Sequence, residues 1–181
     1  MSEMILEARL VKNSKNGDGS AFGELISIYR KNLFTYLLRM CKDRMTAEDL
    51  LQETLIKAWT GLKSYNEQQK FSSWLFTIAH NVSIDAIRMQ QLRERPINLR
   101  EKTDIASYFT PHSEMVITEG RIALQKEVEN LPEDQRRVFL LRQQGELSFK
   151  EIAEVMNQPL NTVLSHMHYA VKKLKRCLNE E

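Results

Sequence analysis

Asp49, Gln52, Glu53 and Ile56 lie in one short run, AEDLLQETLIKAW, from Ala47 to Trp59. At about 100° per residue these four fall together on one side of a helix, while Leu51, Leu55, Ala58 and Trp59 fall on the other. An isoleucine set among carboxylates and amides suits a protein-docking face. The same spacing also fits a solvated face with one exposed isoleucine, and periodicity does not separate the two. A second run, FSSWLFTIAHNVSIDAIR, starts at Phe71. Phe71, Trp74, Leu75, Ile78, Val82 and Ala86 make its core stripe. Ser73, Thr77, His80, Asn81, Ile84 and Arg88 lie off it. Hydroxyls, an amide and a guanidinium side by side suit sugar-phosphate and base-edge contacts. Tyr65 and Asn66 stand in the polar loop before this helix, where an aromatic ring can stack an unpaired base. From spacing alone, a core tryptophan is the default reading of Trp74.

The third constellation is LSFKEIAEVMNQPLNTVLSHMHYAVKKLK. Two amphipathic helices are joined by the turn Asn157-Gln158-Pro159, with a capping box at Ser148 and Glu151. An ordinary helical hairpin has the same periodicity, but the short turn and the box favour a DNA-binding helix-turn-helix. Asn161, Thr162, Ser165, His166 and Tyr169 would then reach base edges, and Lys172, Lys173 and Arg176 would meet phosphates. Catalytic chemistry finds no support. No histidine lies near Asp49 and Glu53, His166 and His168 diverge on a helix, and no glycine-rich phosphate loop occurs. We expect no catalytic residue, metal or cofactor.

These clusters need helices to hold them. With 6 Gly and 4 Pro in 181 residues and a 42% hydrophobic share, the chain favours long packed helices over an all-β fold. A short helix around Met4–Val11 ends at Asn16-Gly17-Asp18-Gly19, and Ser20 is placed to cap the next. That helix carries Phe22, Leu25, Ile26, Tyr29, Leu33, Phe34, Tyr36, Leu37 and Met40, and breaks at Lys42-Asp43-Arg44. Thr46 with Asp49 resembles a capping box for the third helix. Residues 63–70 read as a loop, and the fourth helix runs from Phe71 to about Gln91. Residues 93–119, with Pro96 and Pro111, read as a linker. A second helical unit begins near Gly120 with the stripe Ile122, Leu124, Val128 and Leu131. Pro132 fits the first position of the next helix, on which Val138, Phe139 and Leu141 point inward, and Gly145 is placed to stop it. The last two helices turn Ile152, Ala153, Met156, Val163, Met167, Ala170, Leu174 and Leu178 inward. The formal charge of +2 announces no bulk nucleic-acid binder, so any basic surface must be local. Cys41 and Cys177 make no metal cluster and read as packed thiols of a reduced chain. The N-terminus reads as neither a signal peptide nor an anchor, and no segment approaches the ~20 apolar residues that span a bilayer. The expected location is cytoplasmic.

The order and spacing of these motifs resemble the bacterial RNA polymerase sigma factors of the extracytoplasmic-function (ECF) group, over residues 4–91 and 121–178. The resemblance implies an all-α architecture: a four-helix sigma region 2 bundle over residues 1–92, a linker over 93–119, and a region 4 helix-turn-helix domain over 120–181. It implies that Asp49, Leu50, Gln52, Glu53 and Ile56 dock on the coiled coil of the polymerase β′ subunit, with the β flap as a further contact. It carries opening of the −10 element onto Lys63, Ser64, Tyr65, Asn66, Phe71, Trp74, Thr77 and Asn81, with Arg88 added from the polar face. The C-terminal set is implied to read the −35 element. An anti-sigma factor is the implied regulator. The chain departs from the pattern where Lys or Arg is frequent: it has His80 on the fourth helix, and Leu164, His166, Tyr169 and Val171 on the last. Without an arginine fork the last helix reads guanine poorly, which leaves room for an accessory protein that supplies DNA targeting. A helix-turn-helix regulator that never binds polymerase is the alternative, but it leaves the Asp49–Ile56 face and the N-terminal bundle unexplained. An all-helical adaptor without DNA binding ranks third.

Overall fold

The computed structural model describes residues 2–94 and 119–179, so the expected linker falls almost entirely outside the described residues. Four helices form the N-terminal part: α1 (Ser2–Lys15), α2 (Gly19–Cys41), α3 (Arg44–Gly61) and α4 (Phe71–Glu94). Four more follow: α5 (Glu119–Glu129), α6 (Glu133–Gln144), α7 (Phe149–Met156) and α8 (Leu160–Asn179). A 3-10 turn over Leu62–Ser64 leads out of α3.

Helix starts depart from the sequence reading in a consistent way. Asp18, not Ser20, caps α2; its Oδ1 accepts from the backbone N of Ser20 at 2.9 Å and of Ala21 at 3.0 Å. Asp43, not Thr46, caps α3, accepting from Thr46 N at 2.8 Å and Thr46 Oγ1 at 2.6 Å. At both places an aspartate two or three residues upstream outcompetes a hydroxyl, because a carboxylate accepts more strongly and its charge suits the helix N-terminus. Pro132 is likewise the cap of α6 rather than its first residue. The Ser148–Glu151 box forms in full, with Ser148 N donating to Glu151 Oε2 at 2.7 Å and Glu151 N donating to Ser148 Oγ at 3.3 Å. Asn157, in left-handed backbone at φ 50°, makes the sharp turn between α7 and α8.

The bundle core is built on α2, where Leu25, Leu33, Tyr36 and Leu37 are fully buried. From α3 come Ala47, Leu50, Leu51, Thr54 and Ala58. Leu50 is 6% exposed, so it is core and not part of a docking face. Phe71, Leu75, Ala79 and Val82 of α4 are also buried, and so are Phe76, His80, Ser83 and Ile84. A single core stripe does not describe α4, because α2 and α3 cover part of it and α7 covers another part. In the C-terminal unit α5, α6 and α7 all pack on α8, with Val128, Leu131, Val138, Leu141, Ile152, Val163, Ala170 and Leu174 buried between them. Side chains of Ile122 and Leu178 lie outside the described set.

Gly145 does end α6, but not through left-handed backbone: its φ is −90°, and Glu146 takes the positive φ of 53°. The glycine is needed for space. A Cβ there would lie 2.9 Å from Leu141 O and 3.1 Å from both Leu147 Cγ and Phe76 Cγ.

His80 illustrates how deep the seam between the halves runs. Its Nδ1 is 2.9 Å from Tyr36 Oη in a buried hydrogen bond. Burial pushes the Tyr36 phenol up, so it stays protonated beside the ring. Burial first, then repulsion from Arg137, push His80 down to about 4, with Asp134 opposing. The fold therefore favours the neutral ring. Its contribution is complete above about 6.5 and is lost as pH falls toward 4, where the unfolded chain takes up a proton that the folded chain refuses. The full effect is on the order of 3 kcal/mol. Urea melts between pH 7 and 4 should show wild type losing more stability than His80→Asn, which keeps a polar atom for Tyr36 but does not titrate in this range.

Candidate nucleic-acid interface

The α3 face keeps its expected composition apart from Leu50. Asp49, Gln52 and Glu53 are exposed around Ile56, which is 64% exposed. Lys57 pairs with Glu53 at 2.7 Å, an exposed contact that holds the carboxylate in register. Beside this face a groove of about 560 Å³ opens between α2 and α3, with Arg30, Lys31, Phe34, Arg44 and Gln52 in its walls. Sequence reading missed Arg30 and Lys31. Their signal was present in the basic residues of α2 that fall off its buried stripe.

The fourth-helix set divides. Lys63, Ser64, Asn66, Asn81 and Arg88 are exposed, and Trp74 and Thr77 are half-buried. Tyr65 and Phe71 are not available to stack a base: Tyr65 is 5% exposed and Phe71 is fully buried. Tyr65 packs at 5.6 Å from the Phe71 ring and 5.0 Å from the Trp74 ring, and its hydroxyl donates to the carbonyl of Gln69. Lys15 donates to the Tyr65 carbonyl at 3.1 Å and pairs with Glu67 at 2.9 Å. Asn66 Oδ1 accepts from Gln68 N at 3.0 Å and shapes the following turn. The aromatic trio is thus the buttress of the loop. His80 is buried and leaves the polar face, and Thr77 turns its hydroxyl back to Ser73 O at 2.8 Å. The structure brings Ser64, Trp74 and Asn81 together in one cleft of about 340 Å³, with Lys57, Gly61 and Ile78 in its walls. An indole wall, an amide and a lysine around a concave space can stack an extruded base, bond its edge and hold its phosphate.

On α8, Asn161, Ser165, Tyr169, Lys172, Lys173 and Arg176 are exposed, while Thr162 and His166 are half-buried. Lys173 Nζ donates to the Asn130 carbonyl at 2.8 Å, so this lysine ties α8 to the α5–α6 turn. Leu164, Met167 and Val171 join Phe149 in an apolar cleft edged by Lys172 and Lys175. The helix offers neutral donors and an apolar flank where a forked cation would read guanine.

Comparison with known proteins places this geometry in a family. The sigma-70 region 2 family matches residues 25–93, and the sigma-70, region 4 family matches residues 121–174. The chain is 31% identical to the ECF RNA polymerase sigma factor SigW of Bacillus subtilis, over 98% of this chain and 99% of that one. It is also 31% identical to the ECF RNA polymerase sigma-E factor of Haemophilus influenzae, over 94% of each. Among solved structures, the sigma factor RpoE from Bartonella quintana, in complex with the anti-sigma factor NepR, has a TM-score of 0.73 at 22% identity, over 87% of this chain and 95% of that one. CnrH, in complex with the cytosolic domain of CnrY, has a TM-score of 0.67 at 20% identity, over 97% and 99%. Both share the fold. The chain belongs to the ECF RNA polymerase sigma factors.

The buried position of Tyr65 yields a direct check. Tyr65→Ala should cost about 3–5 kcal/mol, as loss of a buried aromatic side chain does. Tyr65→Phe, which removes only the bond to Gln69, should cost about 1 kcal/mol. Chemical denaturation of the two variants separates this buttress role from a base-stacking role, which would leave stability unchanged in both.

Proposed function

We propose that this sigma factor docks on core RNA polymerase through Asp49, Gln52, Glu53 and Ile56, opens the promoter −10 element in the cleft beside Trp74 and Asn81, and lays α8 on upstream DNA. The observation that carries this division of labour is Ile56, a large apolar side chain open to solvent at the centre of a polar helix face. Its neighbours supply hydrogen bonds and charge at the rim, which fits the anatomy of a protein interface. The polymerase performs the chemistry, and the role of this chain is binding and strand separation. Residues 1–92 would act as the docking and opening domain, 93–119 as the linker and 120–181 as the upstream-DNA domain. The β′ coiled coil and the β flap are the expected polymerase contacts. Among the described residues no helix is long and apolar enough to cross a membrane, which fits action beside the polymerase in the cytoplasm.

Regulation by an anti-sigma factor is supported by the fold shared with RpoE, solved with NepR. The first half of α8, which has no Lys or Arg, favours weak intrinsic recognition of upstream DNA. An accessory DNA-bound protein would compensate for it.

Binding to core polymerase tests the docking face. Ile56→Glu should lower affinity by about 2 kcal/mol or more while the helical circular-dichroism signal stays unchanged. Undiminished binding would remove α3 from the interface. Strand opening is tested with Asn81→Ala, which should bind polymerase normally but form fewer open complexes on duplex promoter. A premelted bubble template should restore most of its activity, because the unpairing cost of a few kcal/mol is then already met. Equal defects on both templates would assign Asn81 another task.

A further inference from the structure

Asn161, Leu164 and Ser165 are exposed on the first turns of α8. At about 100° per residue they share one side of the helix, turned away from the buried Val163, Ala170 and Leu174. In a helix-turn-helix it is the leading end of the second helix that meets base edges. The Asn161 amide has no partner among the described residues, so both its donor and its acceptor are open. Ser165 is different: its hydroxyl donates to the Asn161 carbonyl at 2.9 Å, which leaves only its lone pairs facing out.

Guanine is read best by a forked cation, because its groove edge carries two acceptors, N7 and O6. α8 has no Lys or Arg from Leu160 to Val171. The arginines packed around it are used within the protein. Arg136 donates to the Glu129 carbonyl at 3.1 Å, and Arg137 pairs with Glu133 and Asp134. Arg142 donates to the Leu147 carbonyl at 2.7 Å and lies over the Phe149 ring. Arg176 is exposed, but it lies about 22 Å further along the helix than Asn161, where it suits a phosphate. His168, exposed on the same side of α8 as Asn161, presents its two ring nitrogens on different edges and cannot form the fork.

We propose that α8 selects an A·T pair and is blind to guanine, with Asn161 as the residue that sets the choice. The Asn161 carbonyl accepts from adenine N6–H and its NH₂ donates to N7, a bidentate match that guanine O6 breaks. The Ser165 lone pairs suit an amino group and oppose the acceptor edge of guanine. Leu164 is three residues from Asn161, so their Cβ atoms lie roughly 5–6 Å apart. Base pairs rise by about 3.4 Å, so Leu164 reaches the same pair or the next. Its match there is the C5-methyl group of thymine. Lys172, Lys175 and Arg176 then lie along the phosphates and carry no base preference. This inference rests on the assignment of α8 to upstream DNA and names the sequence class that α8 would take.

The test uses holoenzyme reconstituted from the full chain and core polymerase. The template is a duplex library in which the upstream element of a mapped promoter is randomised. Open complexes are recovered and sequenced. Wild type should enrich adenine at one position and thymine within one step of it, with no position that demands guanine. Asn161→Arg, at an exposed side chain, should move the preference at that one position from adenine to guanine by about fivefold or more. Asn161→Ala should flatten that position and leave the others as they were. Leu164→Ala should flatten the adjoining thymine alone. Guanine enriched by wild type, or adenine still preferred by both Asn161 variants, overturns the inference while α8 remains the upstream reader. Thymine preference unchanged in Leu164→Ala overturns the methyl contact. A wild-type library with no enriched upstream position overturns the assignment of α8 itself, and this inference with it.

Discussion

Helix α4 has to satisfy two sets of neighbours, and the rest of the molecule is arranged around that demand. Phe71, Leu75 and Val82 fill the bundle core, while Phe76 and His80 meet Tyr36 of α2 near the seam with α6 and the α6–α7 turn. What remains for solvent is a narrow band that includes Asn81 and Arg88. A helix buried over most of its circumference is held firmly against rotation, because any turn about its axis would drive polar atoms into the core. The Trp74–Asn81 cleft inherits that rigidity. The proposed role, acceptance of an unpaired base, would gain from walls fixed before the base arrives.

The same constraint explains which parts of the architecture the sequence could disclose. The eight α-helices among the described residues, and their order, follow from apolar periodicity and breakers, and the Ser148–Glu151 box and the Asn157 turn fall where local chemistry puts them. Periodicity weighs each residue by its own polarity, so it finds one stripe on α4 and assigns His80 to water. The second buried side exists only because distant helices cover it. Leu50 is the converse case. It sits beside the proposed docking face in sequence, but the helix turns it into the core with Thr54, whose hydroxyl bonds back to the Leu50 carbonyl at 2.7 Å. Tyr65 shows a third limit. Sequence marks an aromatic residue in a polar loop but not whether the loop folds over it, and here Phe71 and Trp74 close on the ring. Capping aspartates were displaced by two or three residues for a simpler reason: several adjacent polar residues can each start a helix, and bond geometry makes the choice.

The three surfaces differ in how much each can do alone. The α3 face has a buried-type anchor in Ile56 and can bind by desolvating it. The α8 surface exposes Leu164 and Tyr169 singly, and its cations Lys172, Lys175 and Arg176 gather toward the C-terminal end, while Lys173 is held by Asn130. Each phosphate it neutralises releases counterions and adds about 0.9 to the logarithmic salt slope, so two or three contacts give weak association with a shallow salt slope. Tethering changes that arithmetic. In the proposed assembly, docking of α3 would bring α8 to DNA at an effective concentration set by the chain between the units, commonly near the millimolar range for short linkers. A weak reader can then be occupied without ever binding tightly in isolation. Weak intrinsic binding also has a use, because a chain that gripped DNA firmly by itself would be held at promoters without polymerase. The absence of Lys and Arg at Ser165, His166 and Tyr169 is therefore consistent with a factor whose occupancy of upstream DNA would be conditional on its proposed anchor at Ile56.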